Sequence, residues 1–161
     1  MKWSVRAWLC FAVAALTLPD AAARAASGPD ASMMLPVDTL RRAMERFDQP
    51  TVPDVFSSRQ VTIVENFDPY VFEGETATER WWRGFRAHAV SGKLGHLRAA
   101  FGAAQDFEQS GDRSFFTLPT RWTGIAGGRP FVERGGWAFV LVREAGTWRI
   151  RSYAWAVTAS T

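Results

Sequence analysis

From His96 onward the chain reads as strand after strand, and that run constrains the fold more than any other feature of the sequence. Leu97, Ala99, Phe101 and Ala103 alternate with their neighbours. Phe116, Leu118 and Trp122 alternate with Phe115, Thr117 and Arg121, and Trp137, Phe139 and Leu141 oppose Ala138, Val140 and Val142. A period of two sends each set to its own face of a sheet, so every strand carries an apolar side to bury. Gly124 to Pro130 reads as a turn and Gly135-Gly136 as a bulge-like interruption. Glu144-Ala145-Gly146-Thr147 reads as a hairpin leading into a last strand from Trp148 to Val157.

The first half is different. Asp38 is placed to cap a helix in which Leu40, Ala43, Met44 and Phe47 fall at helical spacing, ended by Gln49-Pro50. Pro53 to Ser57 could form one helical turn, since proline suits the first helical position. Gln60 to Phe67 alternates, with Val61, Ile63 and Glu65 on one side, and Asp68-Pro69 signals a turn before Tyr70-Val71-Phe72 resumes extended structure. Thr76-Ala77-Thr78-Glu79 spells a capping box, followed by Trp81, Trp82, Phe85, His88 and Ala89 on one helical face, ending near Ser91-Gly92. Helices first, then a meander of antiparallel strands, argue an α+β domain. A helix-poor lipocalin-like barrel competes, but the aromatic helix in the middle weighs against it.

Residues 1–25 read as a cleavable export signal. Lys2 and Arg6 are followed by the apolar stretch Ala7 to Leu18, whose roughly 12 residues fall short of the about 20 that span a bilayer. Small residues from Ala21 to Ala26 place the cleavage after Ala25. Residues 26–36 then form a flexible lead-in and 37–159 the domain, in a periplasmic or secreted protein with no membrane attachment once the signal is gone. The only cysteine, Cys10, lies within the signal, so the mature domain must stand on packing without a disulfide. Removing Lys2, Arg6, Arg24 and Asp20 from 19 basic and 16 acidic residues leaves a net charge of +1. No basic cluster is dense enough to track phosphates, which argues against nucleic acid.

With these elements in place, the stretch from Leu35 to Ala159 resembles the SnoaL-like branch of the nuclear transport factor 2-like superfamily. The likeness rests on the first helix, the strand pair Val61–Phe67 and Tyr70–Phe72, and the Phe-Glu-Gly-Glu-Thr-Ala exit at Phe72 to Ala77. It rests also on the aromatic helix and the meander ending Gly-Thr-Trp-Arg-Ile at Gly146 to Ile150. The resemblance implies a cone, a strongly curved sheet wrapped over the helices, with a pocket at its open end. It also implies frequent dimerisation through the outer sheet face. Family members include isomerases, cyclases, dehydratases and domains with no known reaction, so the fold alone does not choose the function.

Ketosteroid isomerases of that superfamily need a carboxylate base, a tyrosine on the first helix and a protonated acid on a later strand. Glu65 or Asp68 fits the first role, though Asp68 before Pro69 also suits local hydrogen bonding in a turn and Glu65 is either a pocket carboxylate or a strand-end residue reaching water. Leu40 to Phe47 contains no tyrosine, and Gly136-Trp137-Ala138-Phe139 contains no acid, so steroid isomerisation is disfavoured. His88 is a core or rim residue, or, if it faces the cone, the best acid–base partner, because imidazole ordinarily titrates near neutrality. Two histidines, His88 and His96, with no clustered carboxylates do not make a metal site, and no cofactor is expected.

Tyr70, Trp81, Trp122 and Trp137, with Glu133 as a polar contact, are candidate pocket residues or else core. On the last strand, Trp148, Ile150 and Ala154 read as inward. Arg149, Arg151, Tyr153 and Trp155 read as an outer face, suited to a dimer or simply solvated. Three functions follow. The first is an exported pocket domain for a small apolar or aromatic molecule. The second is a cofactor-free acid–base enzyme using His88 with Glu65 or Asp68, and the third is a homodimeric interaction module.

Overall fold

The computed structural model describes residues 28–161; the export signal read at residues 1–25 lies outside them. Helix α1 spans Ala31–Arg46, eight residues ahead of the start expected from Asp38. Asp30 is the cap instead, its carboxylate accepting from the Ser32 and Met33 amides at 2.8 and 3.0 Å. Part of the expected lead-in is therefore helix, and Pro36 sits inside it. Proline in a helix interior removes one backbone bond and is costly. Burial of Met33, Pro36, Val37, Leu40, Ala43 and Met44 on one stripe outweighs that cost. Asp38 faces outward and pairs with Arg41 at 3.2 Å. The chain leaves α1 through Phe47, held in the left-handed region at φ 35°.

Residues 53–57 are not helical. They form a turn from which Phe56 bridges in parallel to Ile150, and the loop is tied down by Glu144, which accepts from the Ser57 hydroxyl at 2.5 Å and the Ser58 amide at 3.0 Å. Strands β1 (Val61–Val64) and β2 (Val71–Gly74) pair antiparallel. Helix α2 (Ala77–Ser91) follows, with Trp81, Trp82, Phe85 and Ala89 buried. The expected capping box does not form: the Thr76 side chain caps nothing, and Glu79 accepts instead from the adjacent Thr78 hydroxyl at 3.1 Å. The Thr76 backbone, at φ −102° and ψ 19°, lacks the extended conformation that a capping side chain needs.

Five strands complete the sheet: β3 (Leu94–Phe101), β4 (Gln105–Ser110), β5 (Arg113–Ala126), β6 (Arg129–Glu144) and β7 (Thr147–Ser160). The order is β2-β1-β7-β6-β5-β3, with β4 on the other half of β5; β1 runs parallel to β7 and every other pair is antiparallel. Long β5 thus carries both β3 and β4 on its far side, and the sheet curls over α1 and α2 without closing. The β5–β6 turn is tighter than the expected Gly124–Pro130. Strand pairing runs to Ala126 opposite Arg129, leaving Gly127-Gly128, both at positive φ, as the two-residue connection. Strand β4 escaped sequence reading because Gln-Asp-Phe-Glu-Gln-Ser carries one apolar residue, Phe107, and hence no alternation.

The largest departure lies in β7. Leu141 pairs with Ile150 but Val140 pairs with Ser152, so Arg151 is an extra residue in the strand. One inserted residue reverses the facing of everything beyond it. Tyr153 and Trp155, expected on the outer face, are buried inside at 2% and 7% exposure, and Ala154 takes the outer side. Arg149 is engaged as well, paired with Asp54 at 2.7 Å. A second irregularity lies at Gly135, where the extra residue belongs to the partner strand, Thr158.

Gly135 is also where backbone approaches closest. A Cβ there would lie 2.1 Å from the Ala156 carbonyl oxygen and 2.6 Å from the Trp155 ring, whereas one at Gly136 meets nothing within 4 Å. Gly135→Ala is therefore expected to cost about 2 kcal/mol or more, by forcing β6 and β7 apart, and Gly136→Ala less than about 0.5 kcal/mol. Urea unfolding of the pair checks this; equal losses would mean that the two strands are not held this closely.

Candidate functional site

At the open end of the curled sheet lies a cavity of about 280 Å³. Its walls are apolar and largely aromatic, with Phe67, Phe85, Trp122, Phe131, Trp137 and Trp155 among them. The polar lining comprises Glu65, Asn66, His88, Glu133 and Ser160. A concave, apolar site with a few polar groups is what small-molecule recognition requires.

Glu65 follows β1 in the alternation that buries Val61 and Ile63, which carries its carboxylate inward at 6% exposure. Two donors meet one of its oxygens. Trp81 Nε1 of α2 donates to Oε1 at 3.0 Å, and the Tyr153 hydroxyl of β7 donates to the same atom in a short bond. Oε2 has no side-chain donor among the described residues. Burial pushes the Glu65 carboxyl up to about 7, against the Tyr153, Trp81 and Asn66 donors that favour its ionised form; the charge of Glu133 pushes it further up. Burial, and then the adjacent Glu65, hold the Tyr153 phenol well above its ordinary value, so it stays a donor. A carboxyl that titrates near neutrality can both give and take a proton. Glu133, on β6, accepts from Trp155 Nε1 at 3.2 Å.

Of the residues singled out from sequence, Glu65, His88, Trp122, Glu133 and Trp137 line this cavity together. Trp81 stands behind it, fully buried, and reaches the site through its indole N–H. Asp68 is exposed in the β1–β2 turn, and Tyr70 is 58% exposed outside the cavity at φ 68°. His88 stacks on Phe67, with ring centroids 5.2 Å apart and planes 15° from parallel. Among the described residues no hydrogen bond joins His88 to a carboxylate, so the expected His88–carboxylate pair is not formed. Tyr153 and Trp155 are the site residues that sequence reasoning missed. The chain has two tyrosines, but only the Arg151 bulge turns one of them onto Glu65, and that bulge has no local sequence signature.

Among the described residues no group of three metal-ligating side chains converges, and no helix is long and apolar enough to cross a membrane. No family model and no curated protein matches the sequence. Solved structures do match the fold. The Kfla4162 protein from Kribbella flavida superposes with a TM-score of 0.65 at 14% identity, over 81% of this chain and 91% of that one. A hexachlorocyclohexane dehydrochlorinase of type 2 gives 0.67 at 7% identity, over 81% and 86%. A nuclear transport factor 2-like superfamily protein from Salmonella enterica gives 0.62 at 12%, over 77% and 87%. The protein is thus an α+β cone of the nuclear transport factor 2-like fold, of the kind that SnoaL-like domains adopt. At such identities the likeness is one of fold, and the site has to speak for itself.

Proposed function

We propose that this is an exported domain that binds a small, largely apolar or aromatic molecule in its cone. The observation that supports this best is the position of Glu65: a buried carboxylate on the wall of an aromatic cavity, one oxygen held by Trp81 and Tyr153, the other free of side-chain donors. Aromatic walls supply the affinity and the carboxylate orients a donor group on the ligand. Calorimetry with indole as probe is expected to show saturable binding that Ala126→Trp, which fills the cavity lining, abolishes without lowering the unfolding temperature. Binding that survives the plug would place the ligand elsewhere.

A second reading, acid–base catalysis without a cofactor, is supported by the same carboxyl, because its titration near neutrality suits proton transfer. The base would be Glu65, with Tyr153 rather than His88 as its hydrogen-bonding partner, and Asp68 outside the site. Incubating simple aryl ketones with the protein in heavy water tests it: deuterium uptake beside the carbonyl, lost in Glu65→Gln, is the expected result.

Export is supported by the residue order at 1–25, and amino-terminal sequencing of protein from the periplasmic fraction is expected to begin at Ala26. A homodimer through the outer sheet face would now use Val64, Phe115, Val140 and Arg151, with Tyr153 and Trp155 turned away from it.

A further inference from the structure

Resting on the pocket reading above, the charge of the cavity narrows the ligand class. Its titratable lining consists of Glu65, which follows β1, Glu133 on β6 and His88 on α2, with Tyr153 of β7 behind Glu65. Among the described residues no lysine or arginine lines it. Two carboxylates sharing an apolar cavity repel one another, and the Glu133 charge already disfavours ionisation of Glu65. An anionic ligand would add a third negative charge with no counter-cation. The hydrogen-bond capacity has the same polarity. The side-chain donors, Trp81, Tyr153 and Trp155, all go to one oxygen of each carboxylate, so side-chain acceptor positions exceed donors at the cavity. An ammonium supplies three donors and one positive charge, and the faces of Trp122, Trp137, Trp155 and Phe131 attract a cation.

We infer that the cone selects an organic amine, bound as its ammonium between Glu65 and Glu133 with its apolar body against the tryptophans. The ammonium enters already protonated. Where Glu65 starts as the neutral acid, the complex holds it as a carboxylate and one proton passes from its Oε to solvent. The ammonium pairs with the ionised form of Glu65, so binding should weaken toward low pH as protons compete for that carboxyl.

Three probes of one shape, phenethylamine, phenethyl alcohol and hydrocinnamate, separate the possibilities by calorimetry. The amine is expected to bind at least about tenfold more tightly than the alcohol, and hydrocinnamate most weakly. Repeating the amine titration at about pH 6 in buffers of different ionisation enthalpy should show net proton release. Glu133→Gln, confirmed folded by circular dichroism, should remove most of the amine's preference over the alcohol. Equal binding of amine and alcohol, or tightest binding of hydrocinnamate, overturns the amine inference and leaves the pocket reading standing. If indole and all three probes fail to bind, both fall.

Discussion

Replacing Glu65 by glutamine should make the domain more stable above neutral pH while removing the group on which its proposed function depends. The sign follows from the titration. The carboxyl has an ordinary value of 4.5 and is raised to about 7 in the folded state, chiefly by burial. Between those values the folded chain holds a proton that the unfolded chain has released, so stability falls as pH rises through that window. The stabilisation is complete below 4.5 and lost above about 7. A shift of this size corresponds to roughly 3 kcal/mol. Glutamine keeps an oxygen for the Trp81 and Tyr153 donors and never ionises. The variant and the parent should therefore unfold alike at about pH 4 and diverge by roughly 3 kcal/mol at about pH 8, with the variant the more stable. Guanidinium unfolding across that range is the measurement. Parallel curves for the two proteins would show that Glu65 is not held in a dry site.

A stabilised variant that no longer binds amines would mark Glu65 as a residue kept at the expense of stability, as functional sites often are. Tyr153→Phe provides the complementary test. Removing the phenol deletes a donor that favours the ionised form, so the Glu65 titration should move further up. Carbon-13 NMR of the glutamate carboxyls reads this directly; a downward shift would contradict the hydrogen bond.

The second large effect concerns Trp137. Its ring sits at 1% exposure with Trp122 at 5.8 Å, Phe139 at 5.5 Å, Tyr153 at 5.8 Å and Trp155 at 6.0 Å between centroids. It is the common neighbour of the rings that carry the cavity wall. Trp137→Ala removes those contacts and leaves a void that the surrounding strands cannot fill, at a cost of about 3–5 kcal/mol. Trp137→Phe is expected to be far milder. It keeps a ring in place and removes an indole N–H that is buried without a hydrogen-bond partner among the described residues. Urea denaturation of both variants checks the contrast; equal losses would show that a ring kept at this position contributes nothing, against the ring stack.

Much of this architecture is legible in the residue order because it depends on local periodicity. The alternation put Glu65 on the side of Val61 and Ile63, open to the pocket or to water until the structure buried it, and Trp137, Phe139 and Leu141 share the inner face of β6, since a strand sends every second side chain the same way. The stripe on α2 placed Trp81, Trp82 and Phe85 inward by the same reasoning at helical period. Those elements, taken in order, pointed to the cone.

What failed were places where a distant part of the chain overrides the local signal. Pro36 argues against a helix until Met33 and Val37 have a sheet to pack on. Thr76 and Glu79 have the residues of a capping box but not the backbone. Above all, Arg151 reads as one more member of an alternating strand, and only its register against Val140 and Leu141 shows it to be an extra residue. The sequence by itself determined that an antiparallel aromatic sheet would cover two helices and that Glu65 shares a side with Val61 and Ile63, because those are consequences of period and polarity along one segment. The tertiary structure alone decided that Trp155 joins Glu65 and Glu133 on the cavity wall with Tyr153 bonded behind Glu65, because the facing of β7 depends on how it pairs with β6, a relation between segments that neither contains.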